Sequence, residues 1–428
     1  MLNMPASEWE KLREEELTQL REEGRDLTGF SPAAGEPSAL GEAGQALPFR
    51  ADWPYDEPSD LAEIVAARPD APAVFPVERA ALGERLHGAW AGRCAGCMLG
   101  KPVEGWPRER IRELLVGAGE YPLRDYFPAF APPAEGGAGL PADSPLVRGN
   151  IRRSERDDDT DYPVLNLLVW LRHGRDFTPR HVANAWLEYL PYWQVYTAER
   201  MAYRNFVLGL DPPASALPVN PYREWIGAQI RADLWGYVAP GQPALAAEFA
   251  WRDACVSHTR NGIYGEMFFA ALIAACLATR DLAEALEAAL ATVPARSRFA
   301  EMVADCLTWY ALDGNWEKSC DRVQEKYGHY HPVHTLNNAA LVLIALLYAQ
   351  RDFSAAVGLA VQGGWDTDCN GATAGSVWGA LHGASAIPGE WAGPLGDTLI
   401  SAVFGRGENK ISALAEETLA GAVLGPTP

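Results

Sequence analysis

Three observations predict an all-α fold for this 428-residue chain. From Glu78 onward apolar residues recur at spacings of three and four, the period of one helix face. No long alternating run of β-branched residues competes with that pattern. The stretches 267–278 and 339–348 are apolar with little polar face, which predicts central helices.

In chain order, residues 1–78 stand apart from the rest. An acidic segment, 7–25, has helical character. A Pro/Gly/Ala stretch follows, and then Trp53, Tyr55 and Phe75, which could dock on a larger body. Two readings stay open for these residues: an extension or cap on a main unit at 79–428, or a partly disordered tail. Beyond them, Leu82-Gly83-Glu84-Arg85-Leu86 opens a helix rich in glycine and alanine. Further helices are predicted over 163–173, 180–190, 222–237, 243–257, 265–279, 282–291, 298–313, 335–349 and 353–361. Residues 117–150, rich in Gly, Pro and Ala, read as a long surface loop.

Composition narrows the function. With 56 Asp and Glu against 36 Lys and Arg, the net charge of −20 repels phosphate backbones and anionic lipid, so neither nucleic acid nor a membrane is an expected partner. No apolar run reaches the roughly 20 residues that span a bilayer. The seven cysteines are odd in number and scattered, which suits reduced thiols and a cytoplasmic location. Cys94 and Cys97 read as small core residues within a helix.

Two acidic constellations carry the chemistry. Arg156-Asp157-Asp158-Asp159-Thr160-Asp161 precedes an apolar helix; it is either a solvated acidic N-cap or a cation site, since adjacent carboxylates repel unless compensated. In Gly363-Gly364-Trp365-Asp366-Thr367-Asp368-Cys369-Asn370, two aspartates lie between a glycine turn and a helix of Gly, Ala, Ser and Thr. Small residues draw such a helix into the interior, where a carboxylate requires a base or a metal. No Lys or Arg lies nearby in sequence, which favours metal. The oxygen donors and the absence of histidine point to Mg²⁺, Mn²⁺ or Ca²⁺ rather than Zn²⁺, and five carboxylates suggest two ions.

Those segments resemble the ADP-ribosylglycohydrolase family. Gly88-Ala89-Trp90-Ala91-Gly92-Arg93 through Gly100-Lys101-Pro102-Val103-Glu104 is similar to its opening helix and Pro-x-Glu turn. Asp157-Asp158-Asp159-Thr160 resembles its Thr-Asp-Asp-Thr motif, and Gly364-Trp365-Asp366-Thr367-Asp368-Cys369-Asn370 its Gly-Gly-Asp-Thr-Asp-Thr-Asn. The likeness runs over about 82–395. It implies a compact orthogonal helical bundle with a binuclear Mg²⁺ or Mn²⁺ centre. Asp158, Asp159, Asp366 and Asp368 are then ligands, Asp157 and Cys369 stand where the family has threonine, and Glu104 faces the scissile bond. A thiol is a poor Mg²⁺ ligand, so Cys369 either leaves a position to water or favours a softer ion such as Mn²⁺.

The resemblance implies hydrolysis of a glycosidic bond at ribose C1, as in an ADP-ribosyl-protein or an ADP-ribose derivative, with a ribosyl or ADP-ribosyl small molecule as the expected partner. Gly364, Trp365 and His258 are candidates for the substrate side, His258 being open to a purely structural reading. Where the family cradles phosphate with glycines, this chain has Trp225-Ile226-Gly227-Ala228-Gln229-Ile230-Arg231, which makes a smaller N-riboside a competing substrate. A non-enzymatic, metal-stabilised scaffold of the crystallin type and a binuclear phosphohydrolase are the rival readings. The cluster of His329, His331 and His334 is either a soft-metal site or an incidental loop, and the oligomeric state is left open.

Overall fold

The computed structural model describes residues 6–30, 37–132 and 136–424. Nineteen α-helices occur among them, with one hairpin of two three-residue strands, β1 (Thr398–Ile400) and β2 (Glu408–Lys410). The helices are α1 Ala6–Glu22, α2 Pro37–Gln45, α3 Leu61–Ala67, α4 Arg79–Gly100, α5 Arg108–Ala118, α6 Asp158–His173 and α7 Pro179–Tyr189. Next come α8 Thr197–Val207, α9 Ala232–Tyr237, α10 Pro243–Ala254, α11 Arg260–Cys276, α12 Leu282–Leu290 and α13 Arg298–Asp313. The last are α14 Trp316–Tyr327, α15 Thr335–Ala349, α16 Phe353–Gln362, α17 Thr367–His382, α18 Gly389–Ala392 and α19 Ile411–Gly421. No helix among the described residues is long and apolar enough to cross a membrane.

The pair α4 and α17 forms the centre, and its closeness is written in glycine. Gly88, Gly92, Gly96 and Gly100 recur every fourth residue along one face of α4. A Cβ at Gly92 would lie 2.1 Å from Gly375 O, at Gly96 1.9 Å from Gly371 O, and at Gly100 2.1 Å from Thr367 O. The two helices therefore run antiparallel with backbones in contact, and the last turn of α4 meets the first turn of α17. Around them α11 is buried along its whole length and α15 along nearly all of it, in keeping with their apolar sequences.

Two expectations are corrected. Residues 222–237 were expected as one helix, but only a 3₁₀ turn at Gln229–Arg231 and the short α9 are helical. The backbone of 223–226 is drawn into long-range pairing instead: Arg223 O accepts from Thr259 N (3.0 Å), Glu224 O from Thr335 N (3.1 Å), and Ile226 N donates to Val333 O (2.9 Å). Groups committed to other segments cannot close i→i−4 bonds. Irregular chain does run from Gly119 to Arg156, but α5 reaches into the segment expected as loop and Leu123, Tyr126, Phe127, Val147 and Ile151 are buried, so this stretch is part of the packed body rather than a surface loop.

The N-terminal segment is docked by buried ion pairs. Arg223, 1% exposed, donates to Glu16 (2.9 Å) and Glu23 (2.6 Å), and Arg298 donates to Glu57 (2.8 Å) and Glu224 (2.7 Å). Gln19 donates to Glu224 (2.8 Å), and Trp53 lies 5.2 Å beneath the Arg298 guanidinium.

Candidate metal centre

Three helix ends converge where α4 meets α17. The turn after α4 carries Lys101 and Glu104, the N-terminus of α6 carries Asp157, Asp158 and Asp159, and the loop into α17 carries Asp366, Asp368 and Cys369. Thr367 Oγ1 donates to Gly100 O (2.8 Å), tying α17 to the end of α4. Gly105 N donates to Trp365 O (2.8 Å) and Trp365 N to Trp106 O (3.0 Å), which fastens the Glu104 turn to the aspartate loop.

Each acidic residue has a distinct setting. Asp157 caps α6, its Oδ1 accepting from Asp159 N (3.1 Å), while its Oδ2 is ion-paired with Lys101 Nζ. Asp159 is held by the buried Arg93, which donates to its Oδ1 (3.1 Å) and its carbonyl (2.7 Å) and also binds Asp233 (2.7 Å). Asp161 turns away, taking Arg156 (2.8 Å) and Ala402 N (2.7 Å). Asp366 and Asn370 are positioned by one acceptor, Asn338 Oδ1, which receives Asp366 N (3.2 Å) and Asn370 Nδ2 (2.9 Å). Asp368 is buried, and its Oδ1 has no hydrogen-bond partner.

The electrostatics are those of an undercompensated anionic site. Burial, then Asp157 and Asp159, push Asp158 well above the usual carboxylate range; burial, then Asp157, Asp366 and Glu104, do the same to Asp368. Asp159 is raised chiefly by burial despite Arg93, and Asp366 by burial despite hydrogen bonds from Asp368 and Cys369. The Glu104 side chain is exposed at the edge of the cluster, yet desolvation by the surrounding protein, with Asp366 and Asp157, lifts it to about 7. Two cations already pair with the cluster, Lys101 with Asp157 and Arg93 with Asp159, Arg93 also binding Asp233, and Arg156 pairs with Asp161; among the described residues Asp158, Asp366 and Asp368 have no ion-paired Lys or Arg. A buried carboxylate oxygen without a donor and a cluster this short of positive charge fit a divalent cation. Donor atoms of Asp159, Asp368 and Cys369 lie within 4.8 Å of one another, as do those of Cys97, Asp157 and Asp159.

The remaining sequence candidates separate. Gly364 has φ +84°, and a Cβ on it would lie 2.7 Å from Arg108 N, so it faces the 106–108 backbone. Trp365 is half-buried at φ +64°, a left-handed geometry that favours glycine. His258 is buried beside Ser257 Oγ (2.8 Å) in the network of Arg231, where burial pulls its pKa far down; that places it with Arg231 rather than with the aspartates. The three histidines do not combine: His334 caps α15, His331 stacks on Trp225 at 3.9 Å, and His329 meets Lys326 O. Sequence reasoning missed Arg93, Cys97 and Lys101. Their signal was a spacing of four along α4, one position after each glycine of the seam, which sets them on a face adjacent to it.

A protein of Archaeoglobus fulgidus, itself described as uncharacterized, is 27% identical over 326 residues, covering 72% of this chain and 90% of its own. A solved structure described as an ADP-ribosylglycohydrolase-related protein complex aligns over 80% of this chain and 99% of its own, at 21% identity and a TM-score of 0.45. The sequence model of the ADP-ribosylglycohydrolases matches residues 78–425, a span that holds all three converging helix ends, and the chain belongs to the ADP-ribosylglycohydrolase family.

Proposed function

We propose that this protein is a divalent-cation-dependent glycosidase that cleaves a bond to the anomeric carbon of a ribose. The observation that carries the reading is the gathering of Asp158, Asp159, Asp366 and Asp368 beside Glu104, with one buried Asp368 oxygen lacking any donor. When bound, a divalent cation supplies fixed positive charge that orients sugar hydroxyls and stabilises an anionic oxygen. Asp159 and Asp368 would hold it, with Asp158 and Asp366 alongside. Glu104, exposed at the edge of the cluster, suits a group that protonates a leaving atom or takes a proton from the attacking water. Arg93 and Lys101 position Asp159 and Asp157.

Within that reaction a phosphate-free N-riboside is favoured over an ADP-ribosyl compound. Trp225 and Ile226 occupy the loop where the resemblance calls for glycine, and both are buried. Arg231 of the same loop is buried and engaged by Glu199 (2.5 Å), Asp253 (3.0 Å) and Gly227 O (3.3 Å), so its guanidinium is not presented to a pyrophosphate.

The test is product release from ADP-ribosyl-arginine, ADP-ribosyl-serine, O-acetyl-ADP-ribose and simple N-ribosides, with Mg²⁺, with Mn²⁺ and with EDTA. Metal-dependent release of free ribose from N-ribosides alone is expected. Release of ADP-ribose would overturn the substrate preference, and no turnover of any compound would return the chain to a scaffold role. Asp368→Asn should lose cation affinity and turnover together; full activity at normal metal content would refute the assignment.

A further inference from the structure

We infer that this centre takes a single thiophilic divalent ion through Asp159, Asp368 and Cys369, and that Lys101 fills the other half of the centre with its own ammonium. The inference rests on the cation-dependent reading above and deepens it by naming the class of ion and the number bound.

The geometry offers two three-donor groups that share Asp159: Cys97, Asp157 and Asp159 on one side, and Asp159, Asp368 and Cys369 on the other, each with donor atoms within 4.8 Å of one another. A pair of groups with a common carboxylate is what a two-ion centre requires, but the halves are not equivalent. In the first, both Asp157 oxygens are taken, Oδ1 by Asp159 N and Oδ2 by Lys101 Nζ, and the same ammonium also donates to Arg156 O (2.9 Å). An ion entering there must expel a positive charge already seated between buried acceptors, at a cost in both Coulomb energy and hydrogen bonds. In the second, Arg93 occupies only Asp159 Oδ1, and Asp368 Oδ1 is buried with no partner at all.

The donor set then selects the ion. Cys369 is 7% exposed and stands beside Asp159, Asp366 and Asp368. Thiolate sulfur binds Zn²⁺, Co²⁺ and Cd²⁺ strongly and Mg²⁺ hardly at all. A tetrahedral ion with metal–oxygen distances of about 2.0–2.2 Å and a metal–sulfur distance of about 2.3 Å keeps its ligands roughly 3.5 Å apart, inside the 4.8 Å within which the three donor atoms lie. Binding replaces the Cys369 S–H proton, which leaves to solvent as the sulfur–metal bond forms. The position at Cys369, where the family resemblance calls for an oxygen donor, is therefore a change of ion rather than a lost ligand.

The experiment adds Co²⁺ to the full-length protein after a chelator and gel filtration. One ion per chain is expected, with a near-ultraviolet sulfur-to-cobalt charge-transfer band that Zn²⁺ removes and excess Mg²⁺ leaves in place. Cys369→Ser should abolish the band, Cys97→Ser should keep it, and Lys101→Gln should raise the stoichiometry to two by freeing Asp157. Two ions on the unaltered chain, a cobalt spectrum without the sulfur band, or a band that follows Cys97 would each overturn the inference. Should Cys369→Ser fail to fold, the spectra of the unaltered chain and of Cys97→Ser still decide. The readout needs no substrate: a chain that binds one cobalt through sulfur yet cleaves no riboside refutes the proposed function alone, and a riboside hydrolase with two Mg²⁺ ions refutes this inference alone.

Discussion

Replacing Gly96 by alanine puts a methyl group into the tightest point of the α4–α17 seam. Its Cβ would lie 1.9 Å from Gly371 O, whereas unstrained carbon–oxygen contacts begin near ~3.3 Å, so the helices must part by more than about 1 Å. In an open helix the same change stabilises by about 1 kcal/mol. Overpacking a close-packed core costs about 1–3 kcal/mol, and here backbone meets backbone with no side chain to yield, which places the cost at the upper end. A net loss of about 2 kcal/mol follows. The separation also reaches the site, because Thr367 and Asp368 ride on α17 while Lys101 and Glu104 follow α4. Urea unfolding followed by circular dichroism measures the first effect, and cation titration the second. Gly41→Ala is the control: its Cβ would meet nothing closer than 3.9 Å in α2, so a gain of up to about 1 kcal/mol is expected. If Gly96→Ala proved as stable as the unaltered chain, the account of the seam would be wrong.

Other expectations follow from single contacts. Arg93→Met strands the buried carboxylates of Asp159 and Asp233 and should cost about 3–5 kcal/mol in chemical denaturation, a loss below about 1 kcal/mol counting against the buried pairs. His334 is buried and neutral, its pKa pulled by burial from 6.5 to about 3. A folded-state value below the unfolded one means that its contribution is intact above the unfolded pKa and is lost as the pH falls through that window, at up to about 1.4 kcal/mol per pH unit. His334→Asn keeps an acceptor for Leu336 N and should flatten the acid limb of the stability profile; an unchanged slope would exclude this histidine as its source. Deleting residues 1–58 removes Glu16, Glu23 and Glu57 from the buried Arg223 and Arg298. Arg298 keeps Glu224 (2.7 Å), but the stranded Arg223 costs about 3 kcal/mol or more, so the truncated chain should melt well below the unaltered one, and an unchanged melting temperature would show that the segment is dispensable.

The sequence by itself determined the helical class and the family. Periodicity placed the helices at Arg298–Asp313 and Thr335–Ala349 at their observed ends, because each carries a long apolar face between polar caps. The short acidic motifs around Asp158 and Asp368 were legible because carboxylates packed that densely have few structural uses. Only tertiary structure decided what neutralises them. Arg93 and Lys101 lie far from Asp159 and Asp157 in the chain and meet them only where the end of α4 packs beside the N-terminus of α6, a contact between two distant segments. The same holds for Cys97, a core residue by composition that the turn of α4 carries to Asp157 and Asp159. Local pattern shows which side chains a helix buries; which charge faces which depends on how the helices are stacked, and that stacking is a long-range outcome of packing.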